Sequence, residues 1–400
     1  MLVVKNGYDI DKKRLKICPV TDLQGKERSM EIYKEKISAE QKASLVNGAG
    51  FFRSMAIAEA NVPEICFLDG GTGLNFEQLF GDLCMYYGKK ISTGDAFGSR
   101  MLQRVITNYY EPEALDDEEK ELREWITEKL AERCHCQVFS PGCYPAGIMM
   151  GATWNPKVVY DMACALGKEA KAYGVNVLLG TPYVNIIRDP RNGRAFEGYS
   201  EDPFLMTVLA PEMVRGVQEQ GVAANVKHFA ANNQESFRVG VDETISRRAL
   251  EEIYFPAFKA CVDAKAATVM SAYNAINGVP CTENAWLLTD VLRKEWGFDG
   301  MVISDWGAVY HPVEAIKAGN NLAMPGPIDP TPILEGLKNQ TLKEAELEES
   351  VDRILDFTKK WCESVKKDEK LKFDKTTVVL LLCALAITAA AIIVMFAVMA

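Results

Sequence analysis

From about residue 156 onward, the hydrophobic pattern of the chain alternates between two periods. Helix-like stretches exchange with short apolar runs of the kind that form buried parallel strands. The pattern predicts helices at 156–173, 203–220, 247–264, 284–295 and after His311, and strands at 175–179, 221–227, 267–271, 300–304 and 321–324. Strands that alternate with helices over this length favour a parallel sheet covered by helices.

The first part of the chain is less regular. Residues 38–46 predict a short helix that Ser38 caps, and residues 62–68 predict a strand that ends at Asp69. The segment 80–144 interrupts the alternation, contains an acidic helical stretch at 112–133, and is interpreted as an insertion. Residues 341–367 predict a long charged helix that closes the domain.

These elements favour a (β/α)₈ TIM-barrel-like domain over a doubly wound sheet. No Gly-x-Gly-x-x-Gly follows a predicted strand, whereas polar residues recur where strands end. We therefore expect an N-terminal lead-in at 1–37 and a barrel domain at 38–365.

The end of the chain has a different composition. Residues 376–400 carry no charged side chain and are numerous enough to cross a hydrocarbon core of about 30 Å as one helix. Five lysines lie in or just before the linker 366–375, and the positive-inside rule places basic flanks in the cytoplasm. The sequence thus predicts a single transmembrane helix that anchors a cytoplasmic domain in a lipid bilayer.

Composition narrows the choice of function. The net charge of -10 and the lack of a basic face argue against nucleic acid as a partner. The 11 cysteines are odd in number and lie mostly in apolar segments, which is typical of reduced thiols rather than a disulfide framework. Cys134-His135-Cys136 lacks the usual spacing of paired zinc ligands, so we predict no metal and no cofactor.

Polar and aromatic residues cluster where the predicted strands end. The run 300–304 leads directly into Asp305 and Trp306, at the edge where α/β barrels place their chemistry. Carboxylates, arginine, a lysine–histidine pair and aromatic rings together suit a neutral, polyhydroxylated ligand. The strand-end segments are Asp69, 185–194, 227–229, 271–274 and 304–306.

Structural interpretations compete with this functional one at single positions. Asp305 alone could cap a following helix, and His228 alone could be a hydrogen-bonded core histidine. Arg194 alone could be a salt-bridge partner of Glu197 or Glu201. The order in which these residues occur together favours the functional interpretation.

Several long motifs, in the same order, resemble glycoside hydrolase family 3, in its β-glucosidase-like branch. The resemblance covers residues 38–326 apart from the insertion, and its motifs lie at 188–203, 227–235, 270–281 and 303–306. It implies an exo-acting, retaining hydrolase of O-glycosidic bonds with a β-linked glycoside or oligosaccharide as substrate. It also implies that Asp305 is the nucleophile, and that the terminal sugar is held by Asp69, Arg194, Lys227, His228, Tyr273 and Trp306.

The chain departs from the family pattern in three respects. Most relatives take their general acid/base from a glutamate in an α/β-sandwich domain after the barrel, which this sequence lacks after the closing helix. A second branch uses a histidine in the loop after Lys-His-Phe, but residues 230–234 contain none. Asn321 stands where the family usually has aspartate.

The acid/base is therefore unassigned, with Glu197, Glu235 and the insertion as candidates. Two functional hypotheses remain open. The first is a membrane-anchored glycosidase, completed where necessary by a partner chain that supplies the acid/base. The second is a non-catalytic or partner-dependent sugar-binding barrel. A barrel enzyme for phosphorylated metabolites is a weaker third, because the glycine-rich residues 70–73 are poor evidence for phosphate.

Overall fold

The computed structural model of the chain describes residues 32–91, 99–133 and 142–362. Within them, parallel strands and helices alternate as the pattern predicts. The strands are β1 (Phe67–Asp69), β2 (Val177–Tyr183), β3 (Ala223–Phe229), β4 (Asp242–Glu243), β5 (Thr268–Ser271), β6 (Ala275–Ile276), β7 (Val279–Pro280) and β8 (Met301–Ser304).

The main sheet has five parallel strands in the order β1-β2-β3-β5-β8. β2, β3, β5 and β8 are buried along their whole length, so apolar and polar residues do not alternate along them as they would in a half-exposed strand. Past β8, isolated parallel bridges join Ile303 to Leu322 and Asn47 to Ala323. A separate small sheet contains β4, β6 and β7.

The eight-stranded barrel predicted from the sequence is therefore wrong. Among the described residues, the main sheet is a half-barrel of five parallel strands. The reason is local: residues 321–324 form only the isolated bridges, and the described chain between β1 and β2 folds into helices. The alternation of apolar runs and helices in a sequence indicates where strands lie, but it does not determine how many of those strands join one sheet.

The described residues also contain twelve α-helices. They are α1 (Ala39–Leu45), α2 (Phe76–Tyr86), α3 (Arg100–Thr107), α4 (Asp117–Arg133), α5 (Gly147–Gly151), α6 (Pro156–Ala172), α7 (Pro203–Glu219), α8 (Arg247–Ala249), α9 (Pro256–Asp263), α10 (Pro312–Ala318), α11 (Thr331–Lys338) and α12 (Glu344–Trp361).

Two predicted helices are modified in the structure. The segment predicted at 247–264 divides into α8, a π-helical segment Leu250–Tyr254 and α9. Pro256 has no amide hydrogen to continue the earlier helical hydrogen bonds, which explains why the division falls there. The segment predicted at 284–295 is π-helical from Trp286 to Glu295. As predicted, Ser38 caps α1, since its hydroxyl accepts from the amide of Gln41.

The described residues form two compact units. The first comprises residues 32–75, 143–171 and 175–362, and it contains both sheets. The second comprises residues 76–91, 99–133, 142 and 172–174, and it contains α2, α3 and α4 around the buried side chains of Leu102, Ile126 and Leu130. The predicted domain limits, with an insertion at 80–144, remain a prediction.

The structure corrects the membrane assignment. Across the described ranges, no helix has both the length and the apolar character needed to cross a bilayer. The longest of them, α12, has 18 residues, but glutamate, lysine and arginine are spread along it. The predicted single-pass anchor, the lipid partner and the cytoplasmic placement derived from them are therefore withdrawn. Residues 366–375 and 376–400 themselves lie outside the described ranges.

Candidate active site

The predicted site residues lie at or just beyond the carboxyl ends of the main-sheet strands. Asp69 ends β1, Lys227 and His228 are near the end of β3, and Asp305 follows β8 directly. Since the strands are parallel, these ends meet at one edge of the half-barrel. Tyr273 follows β5, and Arg194 lies on the long loop between β2 and α7.

Asp305 has two carboxylate oxygens in different surroundings. Oδ1 accepts a hydrogen bond of 2.8 Å from the amide of Trp306. Oδ2 is buried, and no donor among the described residues reaches it. Burial raises the pKa of Asp305 to about 6, against the opposing effect of nearby Lys227, Arg194 and Arg238. One face of this carboxylate is thus oriented by the backbone, and the other has no partner.

His228 is held in one tautomer. Asn185 Oδ1 accepts from the His228 amide at 2.9 Å and lies 3.2 Å from Nδ1, while Asn185 Nδ2 donates to the His228 carbonyl at 2.9 Å. The proton therefore belongs on Nδ1, and Nε2 accepts from Arg194 Nη1 at 3.1 Å. Burial, followed by the charges of Arg194, Lys227 and Arg238, lowers the pKa of His228 well below 6.5.

This tautomer explains an otherwise contradictory contact. His228 Nε2 lies 3.3 Å from Asp305 Oδ2, a distance that would suit an ion pair. An unprotonated Nε2 cannot donate, so the contact brings two acceptors together. The oxygen Oδ2 consequently remains without a donor, as its surroundings indicate.

Asp69 and Lys227 form a second charged pair at the same edge. Lys227 Nζ donates to Asp69 Oδ1 at 2.6 Å, with the lysine side chain 7% exposed and the aspartate side chain 33% exposed. The stem of Lys227 crosses Gly180 of β2, where an added Cβ would lie 2.4 Å from Lys227 Cε. A residue without a side chain at position 180 thus gives this lysine its path to the pocket.

Aromatic side chains line the side of the site that follows β8. The indole of Trp306 donates to the Phe51 carbonyl at 2.8 Å and lies against the ring of Phe52, with centroids 5.3 Å apart. The hydroxyl of Tyr273 donates to the carbonyl of Trp306. These contacts fix the orientation of Trp306 next to Asp305.

Arginine–glutamate pairs occupy the loops at the rim. Arg194 makes a bidentate pair with Glu197, at 2.7 and 2.9 Å, and its Nη1 lies 4.0 Å from Glu235. Glu235 accepts from Arg238 at 2.9 Å, and the Arg238 guanidinium lies 4.4 Å from the centroid of the Tyr273 ring. Glu197 and Glu235, the two acid/base candidates outside the insertion, are thus both paired with arginine.

The structure decides between the competing interpretations at three positions. Asp305 caps no helix, because the next helix, α10, begins at Pro312. Arg194 pairs with Glu197, as the salt-bridge interpretation allows, but it also reaches His228 in the site. His228 is a hydrogen-bonded buried histidine, yet its partner Arg194 and neighbour Asp305 belong to the same constellation.

Sequence reasoning missed Tyr183 and Arg238, and it named Asn185 only as part of the strand-end segment 185–194, without a role. Tyr183 packs edge-on against His228 at 5.4 Å and lies under the guanidinium of Arg194 at 5.3 Å. The predicted strand 175–179 stops short of these residues, because Gly180 and Pro182 are types that usually end a strand. Treating the run to Tyr183 as one strand would have placed Tyr183 at a strand end as well.

The described residues contain no group of three or more histidine, cysteine or carboxylate side chains arranged to hold a metal ion. Cys134, His135 and Cys136 lie outside the described ranges.

The family model described as "Glycosyl hydrolase family 3 N terminal domain" matches residues 131–357. The chain belongs to glycosyl hydrolase family 3. The resemblance predicted from the motifs is therefore confirmed.

Relatives in this family agree over the same region. The chain is 38% identical over 294 residues to a beta-glucosidase of Rhizobium radiobacter, and the matched region covers 73% of this chain and 29% of the relative. It is 45% identical over 219 residues to an exo-alpha-(1->6)-L-arabinopyranosidase of Bifidobacterium longum, covering 54% and 29% respectively. The chain thus spans less than a third of the length of these curated relatives.

Solved structures of family 3 enzymes share the fold. The beta-glucosidase of Bifidobacterium adolescentis matches with a TM-score of 0.66 and 32% identity, covering 84% of this chain and 41% of that one. Beta-glucosidase 3B of Thermotoga neapolitana, in complex with alpha-D-glucose, matches with a TM-score of 0.64 and 34% identity, covering 84% and 44%. The family 3 match extends over most of the described chain.

Proposed function

We propose that this family 3 protein hydrolyses O-glycosidic bonds as an exo-acting, retaining β-glycosidase, with Asp305 as its nucleophile. The observation that carries this proposal is the state of the Asp305 carboxylate. Its Oδ1 is fixed by the Trp306 amide, while Oδ2 is buried with no donor among the described residues. An oriented carboxylate oxygen without a hydrogen-bond partner keeps its lone pairs available for attack on carbon.

In this mechanism, Asp305 Oδ2 attacks the anomeric carbon of the terminal sugar. The bond from that carbon to the leaving oxygen breaks, its electron pair stays with the leaving oxygen, and a glycosyl ester forms on Asp305. Water then attacks the same carbon, which releases the carboxylate and the sugar. Two inversions give net retention of configuration.

The charged and aromatic residues around Asp305 are proposed to hold the sugar. Asp69 and Lys227 present an acceptor and donors at one side, and Arg194 presents donors near His228. Hydroxyl groups both donate and accept, so they fit this mixed set of partners. Tyr273 and Trp306 supply the aromatic side.

We assign the general acid/base to no described residue. Glu197 accepts two hydrogen bonds from Arg194, and Glu235 accepts one from Arg238. A proton on either carboxyl would disrupt those pairs, so neither is arranged to donate to a leaving oxygen. In our proposal the acid comes from the insertion at 80–144, from a further segment or from a partner chain.

The substrate class is proposed from the relatives. Their names include beta-glucosidases and an arabinopyranosidase, which remove a terminal sugar of similar size. We therefore propose β-glucosides first, with xylosides and arabinopyranosides as close alternatives. Activated aryl leaving groups need little protonation, so they bypass much of the 10²–10⁴-fold contribution that an acid makes.

The test uses the full-length protein with nitrophenyl glycosides of these sugars and a 2-fluoroglycoside as a trap. We expect turnover that is lost in Asp305→Asn, and a covalent adduct located on Asp305 by mass spectrometry of peptides. Asp189→Asn is the matched control, because Asp189 is an exposed carboxylate paired only with Arg191 on the same loop. It should retain turnover and labelling.

An adduct on another carboxylate would contradict the assignment of Asp305. Sugar binding without turnover or adduct, in the presence of the activated leaving group, would favour a non-catalytic sugar-binding protein instead.

A further inference from the structure

A short turn at residues 235–240 carries an exposed aromatic side chain next to the candidate active site. Phe237 is 89% exposed, the highest value among the large hydrophobic residues of the described chain. Its backbone φ is +58°, a left-handed conformation that bulky L-residues rarely adopt. Such a conformation persists only when neighbouring contacts hold it, and it often marks a functional position.

The contacts that hold this turn all lead to the site. Arg238 pairs with Glu235 across the turn at 2.9 Å, and its guanidinium lies 4.4 Å from the centroid of the Tyr273 ring. Arg238 is also close enough to Asp305 to affect the ionisation of that carboxyl. The residues on both sides of Phe237 are therefore tied to the pocket.

A second aromatic residue fixes the far end of the turn. The hydroxyl of Tyr310 lies 2.8 Å from the carbonyl of Val239 and 3.1 Å from the carbonyl of Tyr273. Tyr310 is itself 38% exposed. Phe237 and Tyr310 thus form an aromatic rim, carried by two loops and joined by a hydrogen bond.

From this geometry we propose that Phe237, with Tyr310, forms a subsite for the leaving group of the substrate, and that it selects aryl or pyranose leaving groups. This inference rests on the proposed function, in which Asp305 and its neighbours hold the terminal sugar and thereby define the side of the glycosidic bond on which the leaving group lies. The rim adjoins that set through Arg238 and Tyr310, which both contact Tyr273, and it is exposed to solvent. Flat apolar faces of aryl groups and sugar rings pack on exposed aromatic rings, at about 0.5–1.5 kcal/mol for a ring pair.

Binding measurements test this subsite without requiring turnover. In the full-length Asp305→Asn protein, calorimetry gives the Kd of phenyl 1-thio-β-glucoside and of methyl 1-thio-β-glucoside. We expect Phe237→Ala to raise the Kd of the phenyl compound by roughly 3- to 10-fold, and the Kd of the methyl compound by less than about twofold. Phe237→Trp should retain the preference for the phenyl compound.

Phe204→Ala is the matched control, because Phe204 is also exposed, at 73%, but lies at the start of α7. It should leave both affinities unchanged. The subsite would be overturned if Phe237→Ala left the ratio of the two Kd values unchanged, as it would if both compounds bound equally more weakly. It would also be overturned if neither compound bound.

Turnover separates this inference from the proposed function. With the wild-type Asp305, Phe237→Ala should raise KM for nitrophenyl β-glucoside and leave kcat/KM for β-glucosyl fluoride unchanged, since fluoride has no ring to stack. Absence of turnover with either substrate would reject the hydrolase, while the binding ratio of the two thioglycosides would still decide the subsite.

Discussion

At the scale of single residues, Asp305 shows how burial and charge compete. Lys227, Arg194 and Arg238 each favour the ionised carboxylate, yet burial outweighs them and raises its pKa to about 6. The same burial lowers the pKa of neighbouring His228, so that histidine stays neutral near pH 7. A neutral histidine leaves the charge of the site to its carboxylates and to the three cations.

This ionisation predicts the acid side of the pH profile. A nucleophilic carboxylate works only when deprotonated, so kcat/KM should fall as the pH falls through about 6. Below that point the decrease should approach tenfold per pH unit. The measurement is kcat/KM for a nitrophenyl glycoside between about pH 4 and 8.

Lys227→Met supplies the control for the pH profile. Removing this nearby cation should raise the pKa of Asp305 and move the acid limb to higher pH, in addition to lowering kcat/KM overall. An acid limb that stays in place in this variant would show that a group other than Asp305 governs the profile.

At the scale of elements, a glycine-faced helix supports the loop that carries Arg194. α5 places Gly147 and Gly151 directly against the backbone of residues 197–199. An added Cβ at Gly151 would lie 1.7 Å from the Tyr199 carbonyl oxygen, which no real contact allows. The loop with Arg194 and Glu197 therefore depends on a helix face without side chains.

Gly151→Ala should disturb both stability and the site. We expect a loss of about 1–3 kcal/mol in the free energy of unfolding from overpacking, with an increase in KM as the loop moves. Urea unfolding and steady-state kinetics measure the two effects.

Gly193→Ala is the matched control on the same loop, because nothing lies within 4 Å of its added Cβ. It should change the free energy of unfolding by less than about 0.5 kcal/mol. Equal effects of the two substitutions would contradict this account of the helix–loop packing.

The strand β8 is joined to the segment after α10 through Arg293 and Asn321. Asn321 Oδ1 accepts from Arg293 Nη2 at 2.7 Å and from the Val302 amide at 2.9 Å, and Asn321 Nδ2 donates to Ser350 of α12. Burial is the main cause that lowers the pKa of Arg293 to about 9, and Arg353 adds to it. Asparagine at the position where the family usually has aspartate thus leaves this guanidinium with a neutral acceptor.

Asn321→Asp should stabilise the protein. A carboxylate would pair with the buried Arg293, and Ser350 could turn to donate, so we expect a gain of about 1 kcal/mol in the free energy of unfolding near pH 7. Asn321→Leu should instead lose roughly 2–4 kcal/mol, because it removes the acceptor of Arg293 Nη2 and of the Val302 amide. Urea unfolding of both variants is the measurement, and destabilisation by Asn321→Asp would contradict this view of the buried arginine.

At the scale of the whole molecule, an acidic chain carries a site in which opposite charges are paired. The sequence has a net charge of -10, while in the pocket Lys227 pairs with Asp69, Arg194 with Glu197 and Arg238 with Glu235. The Lys227 side chain is only 7% exposed, and that of Arg194 is 19% exposed. Buried charges of this kind are screened little by salt.

Turnover of neutral glycosides should therefore depend little on ionic strength. We expect kcat/KM for a neutral nitrophenyl glycoside to change by less than about twofold between roughly 0.02 and 1 M NaCl. A neutral substrate also gains nothing from long-range steering by the acidic surface. A steep dependence on salt would mean that the site is charged and open to solvent, or that the preferred substrate is an ion.

Much of the site could be predicted from the sequence, because the information is local. Buried parallel strands read as apolar runs, and the residue types at their ends, such as Asp305 and Lys227-His228, are visible in the chain. The order of these motifs indicated the family without any structure. The apolar run 376–400 led to the membrane assignment that the structure corrects, because no helix of the described residues is long and apolar enough to cross a bilayer.

Only the tertiary structure decided what depends on contacts between distant residues. The five-strand half-barrel, the tautomer that Asn185 imposes on His228, and the unpartnered Oδ2 of Asp305 all follow from groups far apart in sequence. The turn that displays Phe237 depends likewise on Tyr273 and Tyr310. The sequence by itself determined which chemical groups reach the strand ends, because hydrophobic period and composition are properties of short segments. Packing determined which of these groups meet, because burial and hydrogen bonding depend on pairs of residues that can be far apart in the chain.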